Sequence, residues 1–185
     1  MMLWGAALGA LELRSEGGAT HLRARFPYGA ETELAPQRRE VFAPNAFRSR
    51  IEDGSEIHFL AQHDYSKPLA STAAGTLRLR NTDVALEIEA TIDGATSWAA
   101  DFLAAHRAGL VRGLSPGFRV PTGGDRVERR GADYLRTVAR ADLFELSAVT
   151  VPAYPAAQIE ARAWNIGADD RLNDGLHRTL NRWRA

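Results

Sequence analysis

"GTLRLRNTDVALEIEATI", residues 75–92, alternates apolar with charged or small polar side chains on either side of Asn81 and Thr82. A period of two sends successive side chains to opposite faces of a strand, so the stretch predicts two strands joined as a hairpin, each with one face for a core. The same pattern recurs outward from it. "ALELRSE" and "THLRARF" flank Gly17 and Gly18 as a second hairpin. "SEIHFLAQH", 55–63, predicts a strand with Ile57, Phe59, Ala61 and His63 on one face and Glu56, His58 and Gln62 on the other. "DRVERR", "DYLRTVAR" and "DLFELSAVTVP" are three further strand-like runs divided by glycine or charged turns. Helices are fewer. One is expected over 44–52, between Pro44 and Gly54, and one over 96–109, capped by Thr96 or Ser97 and stopped by Gly109, with Trp98, Phe102 and Ala105 on one face. The count predicts a mainly β chain with flanking helices, an α+β barrel or sandwich.

The 185 residues suit one compact body, able to bury about 70% of the unfolded surface. Lysine plus arginine number 23 and aspartate plus glutamate 23, so no net field draws the chain toward nucleic acid or an acidic membrane. "RVERRG", 126–131, holds an acid and no aromatic residue and reads as a solvated hairpin. The absence of cysteine excludes disulfides, thiolate nucleophiles and cysteine-bound zinc. No basic residue precedes Arg14 and Glu12 breaks the apolar opening, so a signal peptide is not expected, and no run reaches the roughly 18 apolar residues of a membrane span. A soluble, cytosolic chain is the expectation. Leu172, Leu176, Leu180 and Trp183 form one stripe near the C-terminus, with acids at its start and arginines at its end, as a helix dipole prefers.

"VRGLSPGFRV", 111–120, sets Ser115 in a Gly-x-Ser-x-Gly spacing, where flanking glycines tolerate sharp dihedrals and leave room beside the hydroxyl for a substrate carbonyl. A helix precedes it and strand-like sequence follows, the reverse of the α/β-hydrolase elbow, and Pro116 brings no N–H for an oxyanion. A serine nucleophile needs a base, and of five histidines only His63 passes from an apolar strand face into a polar turn, "QHDYSKP". A third group would orient the imidazole. Glu145 suits that role: alternation sets it on the face of Leu143, Val149 and Val151, with Ser147 also there, and a carboxylate on an apolar face demands a partner. Asp64 and Asp142 are substitutes. The same features also suit a turn serine, a turn histidine bonded to Asp64 and a carboxylate paired with an arginine, and the residues alone leave both readings open. No histidine spacing matches a metal motif.

Four segments in order carry a resemblance: "REVFAPNAF" to E-x-h-x-P-G-A-F, "FLAQHDYSKPLAST" to a histidine segment, "LVRGLSPGF" to G-x-x-x-G-x-S-h-G-F, and "LFELSAVTVPAYPAA" to L-x-E-h-S-h-V-x-x-P-A-x-x-x-A. Together they resemble the prohead maturation proteases of tailed bacteriophages. The resemblance implies a serine endopeptidase, free of cofactors and metals, with Ser115 as nucleophile, His63 as general base and Glu145 as third member. It implies a closed β-barrel of the herpesvirus assembly-protease type, with a homodimer possible. Residues 1–162 would form the protease domain and 163–185 a C-terminal helical tail that binds scaffold or covers the barrel. Its substrates would be scaffold and the N-terminal extension of the major capsid protein, cut inside the assembling prohead in the host cytoplasm, with no nucleic acid or membrane as partner. The alternative is a proteolytically inactive barrel that binds capsid or scaffold protein, with a general esterase-like hydrolase as a weaker rival. The short chain and lone lysine, Lys67, also suit a capsid cluster resident in a bacterial chromosome, such as a prophage or gene transfer agent. Two positions depart from the family pattern: Pro116 replaces Val or Ile, and Asn45 replaces Gly. By the same resemblance the oxyanion donor would come from 150–157.

Overall fold

The computed structural model describes residues 11–16 and 19–150. Among them, strands β1 (Leu11–Glu16), β2 (Ala19–Pro27), β7 (Leu77–Asn81) and β8 (Ala85–Ile92) form one antiparallel sheet in the order β1-β2-β8-β7. Both expected hairpins lie in it, although Gly17 and Gly18 themselves fall outside the described residues. A second sheet, β10-β11-β4-β3, joins β3 (Thr32–Ala35), β4 (Arg38–Phe42), β10 (Asp125–Arg130) and β11 (Asp133–Val138), with β4 and β11 parallel. The third, β6-β5-β12-β9, joins β5 (His58–Ala61), β6 (Asp64–Ser71), β9 (Gly113–Arg119) and β12 (Asp142–Val149). There β12 runs parallel to β5 and antiparallel to β9. The chain is thus mainly β with few helices, as its alternation predicts. The described strands are connected as three four-stranded sheets, and no closed barrel is found among them.

Alternation explains the first sheet directly. Leu77, Leu86, Ile88, Ala90 and Ile92 are buried, while Arg80 and Glu87 pair on the opposite side. The three sheets share one core through aromatic contacts. Phe26 of β2 meets Phe42 of β4 at 5.2 Å between ring centroids, and Phe42 meets Phe118 of β9 at 5.1 Å. Phe47 touches all three, at 5.5, 5.2 and 5.8 Å respectively. Aromatic pairs of this kind, most of them edge-on here, add about 0.5–1.5 kcal/mol each to the area they bury.

Helix α1 (Arg48–Glu52) is shorter than the 44–52 expected, because Asn45 has φ +63°, a left-handed value that a continuing helix cannot include. Asparagine is one of the few side chains that accept this region, which explains how it can stand where the resembling family pattern has glycine. Its amide bridges two neighbours, accepting from Asn81 Nδ2 at 2.8 Å and donating to Asp83 Oδ1 at 2.7 Å. Helix α2 (Ser97–Arg107) starts after Thr96 and is followed by Gly109 at φ +73°, close to expectation. It buries Ala99, Phe102 and Leu103 and ties down β6 through Trp98 Nε1, which donates to the Pro68 carbonyl at 2.9 Å. No helix among the described residues is long and apolar enough to cross a membrane. The tail expected over 163–185, with the domain boundary near 162, lies outside the described residues.

The second sheet holds a buried charge network. Arg136 of β11, 2% exposed, donates from Nε to Asp125 Oδ2 at 2.6 Å and from one terminal nitrogen to Glu40 Oε2 at 3.2 Å. Glu40 and Arg136 are direct partners in the parallel register, which fixes the pair. Removing one member leaves an uncompensated buried charge, so Arg136→Ala is expected to lower unfolding free energy by about 3–5 kcal/mol in urea titration. Arg80→Ala, which breaks an exposed pair with Glu87, is expected to cost under about 1 kcal/mol in the same measurement.

Candidate active site

The site is assembled on the third sheet. Strand β12 is its centre, with β5 on one side and β9 on the other. Leu146 and Ala148 of β12 join the core, together with their neighbours Phe59 and Ala61 of β5 and Leu114 of β9. Glu145 and Ser147 therefore face away from that core, 4% and 0% exposed, under other cover. Simple alternation also sets Leu143 on the Glu145 face, and here the structure differs. The β12·β9 register shifts between Leu143, opposite Phe118, and Glu145, opposite Gly117, so Phe144 is an inserted bulge residue. The bulge returns Leu143 to the core and turns Glu145 out of it, the re-aiming that such insertions produce beside functional sites. Phe144 is held in turn by Arg50, whose guanidinium lies 4.3 Å from its ring centroid.

Ser115 is the direct partner of Ser147 across the antiparallel pair, so both serines share the Glu145 face, their Cβ atoms about 4.5–5.5 Å apart by strand geometry. Ser115 is 2% exposed, and its Oγ makes no hydrogen bond among the described residues. Pro116 is tolerated in β9 because that strand is an edge of its sheet. The Gly-x-Ser-x-Gly spacing has a different meaning at its second glycine from the one alternation and turn chemistry suggest. A Cβ on Gly117 would overlap Glu145 Oε1 and come within 2.7 Å of its Cδ. The missing side chain houses the carboxylate rather than a substrate carbonyl.

His63 reaches the same face by leaving its strand. Strand β5 ends at Ala61, and Gln62 and His63 take φ +56° and +60°. The expected alternation through residue 63 is broken there, and the imidazole arrives on the side opposite Phe59 and Ala61. Its Nδ1 lies 2.7 Å from Glu145 Oε1, with 45% of the side chain exposed. With the carboxylate ionised, Nδ1–H is the donor, which leaves the lone pair on Nε2. Ser147 Oγ donates to the other carboxylate oxygen at 2.6 Å and accepts the His63 backbone N–H at 3.1 Å.

The two substitute acids are engaged elsewhere. Asp64 accepts from the Ser66 hydroxyl and N–H, and these bonds, helped by Lys67, bring its carboxyl down to about 2. Asp142 pairs with Arg119 at 3.7 Å. Among the remaining histidines, His106 Nδ1 lies 2.7 Å from the Val111 carbonyl and His58 stacks edge-on against Tyr65. Tyr65 is an exposed side chain whose hydroxyl is pushed above its usual range by partial burial first and by the Glu145 charge second. The segment "QHDYSKP", expected as a polar turn, is largely the edge strand β6, with Pro68 opposite Leu60 between two register shifts, an irregular edge position that proline tolerates. No cluster of three or more potential metal ligands occurs among the described residues. The expected oxyanion segment lies, after Thr150, outside them.

Residues 12–170 match the family model of the caudovirus prohead serine proteases. The chain belongs to that family. No curated protein and no solved structure matches it. Membership of the prohead serine proteases makes the chain a serine peptidase of capsid maturation, and the histidine, serine and acid segments all fall within the matched span.

Because Gly117 gives Glu145 its space, Gly117→Ala is expected to displace the carboxylate from His63. The measurement is the reaction rate of a fluorophosphonate with serine, expected to fall at least tenfold while circular dichroism retains the β spectrum.

Proposed function

We propose that the chain is a serine endopeptidase that cleaves scaffold and the N-terminal extension of the major capsid protein inside the assembling prohead, in the host cytoplasm. The observation that carries the proposal is the 2.7 Å contact between His63 and Glu145 on the sheet face that also bears Ser115. In this reading His63 Nε2 takes the proton of Ser115 as Oγ attacks the scissile carbonyl, and Glu145 holds the ring and stabilises its cation. The imidazolium then protonates the leaving amine, and a water activated by the same nitrogen hydrolyses the acyl-enzyme. No cofactor enters these steps. Among the described residues Ser115 Oγ has no hydrogen-bond partner, in keeping with catalytic contacts that tighten only in the substrate complex. Confinement inside a shell supplies substrate at high effective concentration, so weak peptide binding suffices. We extend the reading to the fold: closure of the three sheets into a herpesvirus-type barrel fits the single aromatic core they share.

The test is co-expression with the proposed substrate, the cognate major capsid protein. The capsid band is expected to shorten with the wild-type chain and to stay full length with Ser115→Ala and with His63→Ala. Glu145→Gln is expected to slow shortening by about 10²–10⁴-fold. Shortening that persists with Ser115→Ala would falsify the assignment. A full-length band throughout, with co-purification of capsid protein, would favour the inactive binding barrel instead.

A further inference from the structure

We propose that Ser147 is a positioning residue of the catalytic apparatus, one hydroxyl that sets both the rotation of the Glu145 carboxylate and the backbone of His63. The inference rests on the reading of Ser115, His63 and Glu145 given above. It starts from an anomaly of composition: Ser147 is fully buried on a strand whose neighbours are Leu146, Ala148 and Val149. A buried hydroxyl is costly unless it is bonded, and this one is used as both donor and acceptor. Its proton goes to Glu145 Oε2 at 2.6 Å, which leaves Oε1 as the oxygen presented to the imidazole. Its lone pair receives the His63 N–H at 3.1 Å.

That second bond has a structural reason. Gln62 and His63 are consecutive non-glycine residues in the left-handed region, which is sustained only where surrounding bonds enforce it. The Gln62 N–H is held by the Ala148 carbonyl at 3.0 Å and the next amide by Ser147 Oγ. The parallel pairing of β5 with β12 ends at Ala61 and Ala148, and the serine side chain supplies the acceptor for a chain that has already turned away. One oxygen therefore links the turn carrying the base to the acid that orients it. The two serines facing each other across β12·β9 thus have separate duties: Ser147 has committed its proton to Glu145, and Ser115 has not.

The experiment is a mutant cycle read by the labelling rate of Ser115 with a fluorophosphonate and by the low-field proton resonance of the His63 Nδ1–H. Ser147→Ala is expected to slow labelling by about 10–100-fold and to abolish the resonance, while Ser147→Thr, which keeps the hydroxyl, restores both. The double variant Ser147→Ala/Glu145→Gln is expected to lose less than the product of the two single losses, since one of the two bonds of the hydroxyl acts through the carboxylate while the other holds the His63 backbone. If Ser147→Ala melts below the assay temperature, Ser147→Cys replaces it, keeping the shape with a weaker donor, and the same ordering holds. Wild-type labelling in Ser147→Ala, or losses that multiply with Glu145→Gln, overturns the proposal. Labelling that survives Ser115→Ala defeats the catalytic reading instead, and the resonance still decides whether Ser147 positions His63.

Discussion

Glu145 brings a carboxylate to the central strand of a sheet, in a place almost closed to water. An ionised group there is tolerated only with partners, since the desolvation penalty in a protein is several kcal/mol per ion. Much of the local architecture answers that demand. The Phe144 bulge turns the acid out of the aromatic core, Gly117 vacates the volume it fills, Ser147 bonds one oxygen and His63 the other. A two-residue left-handed excursion after β5 is what lets the imidazole reach it.

The scaffold that holds these parts is assembled from distant pieces of chain. Strand β12 is sandwiched between β5, more than 80 residues earlier, and β9, which follows helix α2. Phe118, at the end of β9 remote from Ser115, packs against Phe42 and Phe47 and so ties the site sheet to the other two. The strand that bears Ser115 is thus anchored in the common core through Phe118. Glycine flanks give freedom of dihedral, but here one of them supplies space for a charge.

Much of this was legible in the residues, and the exceptions have physical causes. The hairpin at 75–92 reads cleanly because one face is apolar and the other charged along its whole length. The pairing of His63 with Glu145 was reachable from chemistry, since an acid amid apolar residues needs a partner. The faces were not, because period-two reasoning has no signal for a bulge at Phe144 or for a turn that begins at Gln62. Strand β6 was hidden by its polar composition and Pro68, both permitted at an edge. Strand β4 was hidden by charge: Glu40, 2% exposed, looks solvated until Arg136 of a strand 96 residues away is set beside it. The purpose of Gly117 was invisible for the same reason, since it depends on a side chain from another strand.

The separation of 82 residues between the imidazole and its acid also has a temporal meaning. A ribosome adding about 5–20 residues per second needs roughly 4–16 s to pass from one to the other. During that interval the nascent chain carries both the histidine and, later, Ser115, but no carboxylate to orient the ring. On the proposed reading the relay can exist only once Glu145 and Ser147 have been made and β12 lies between β5 and β9, so the enzyme so proposed is born unarmed.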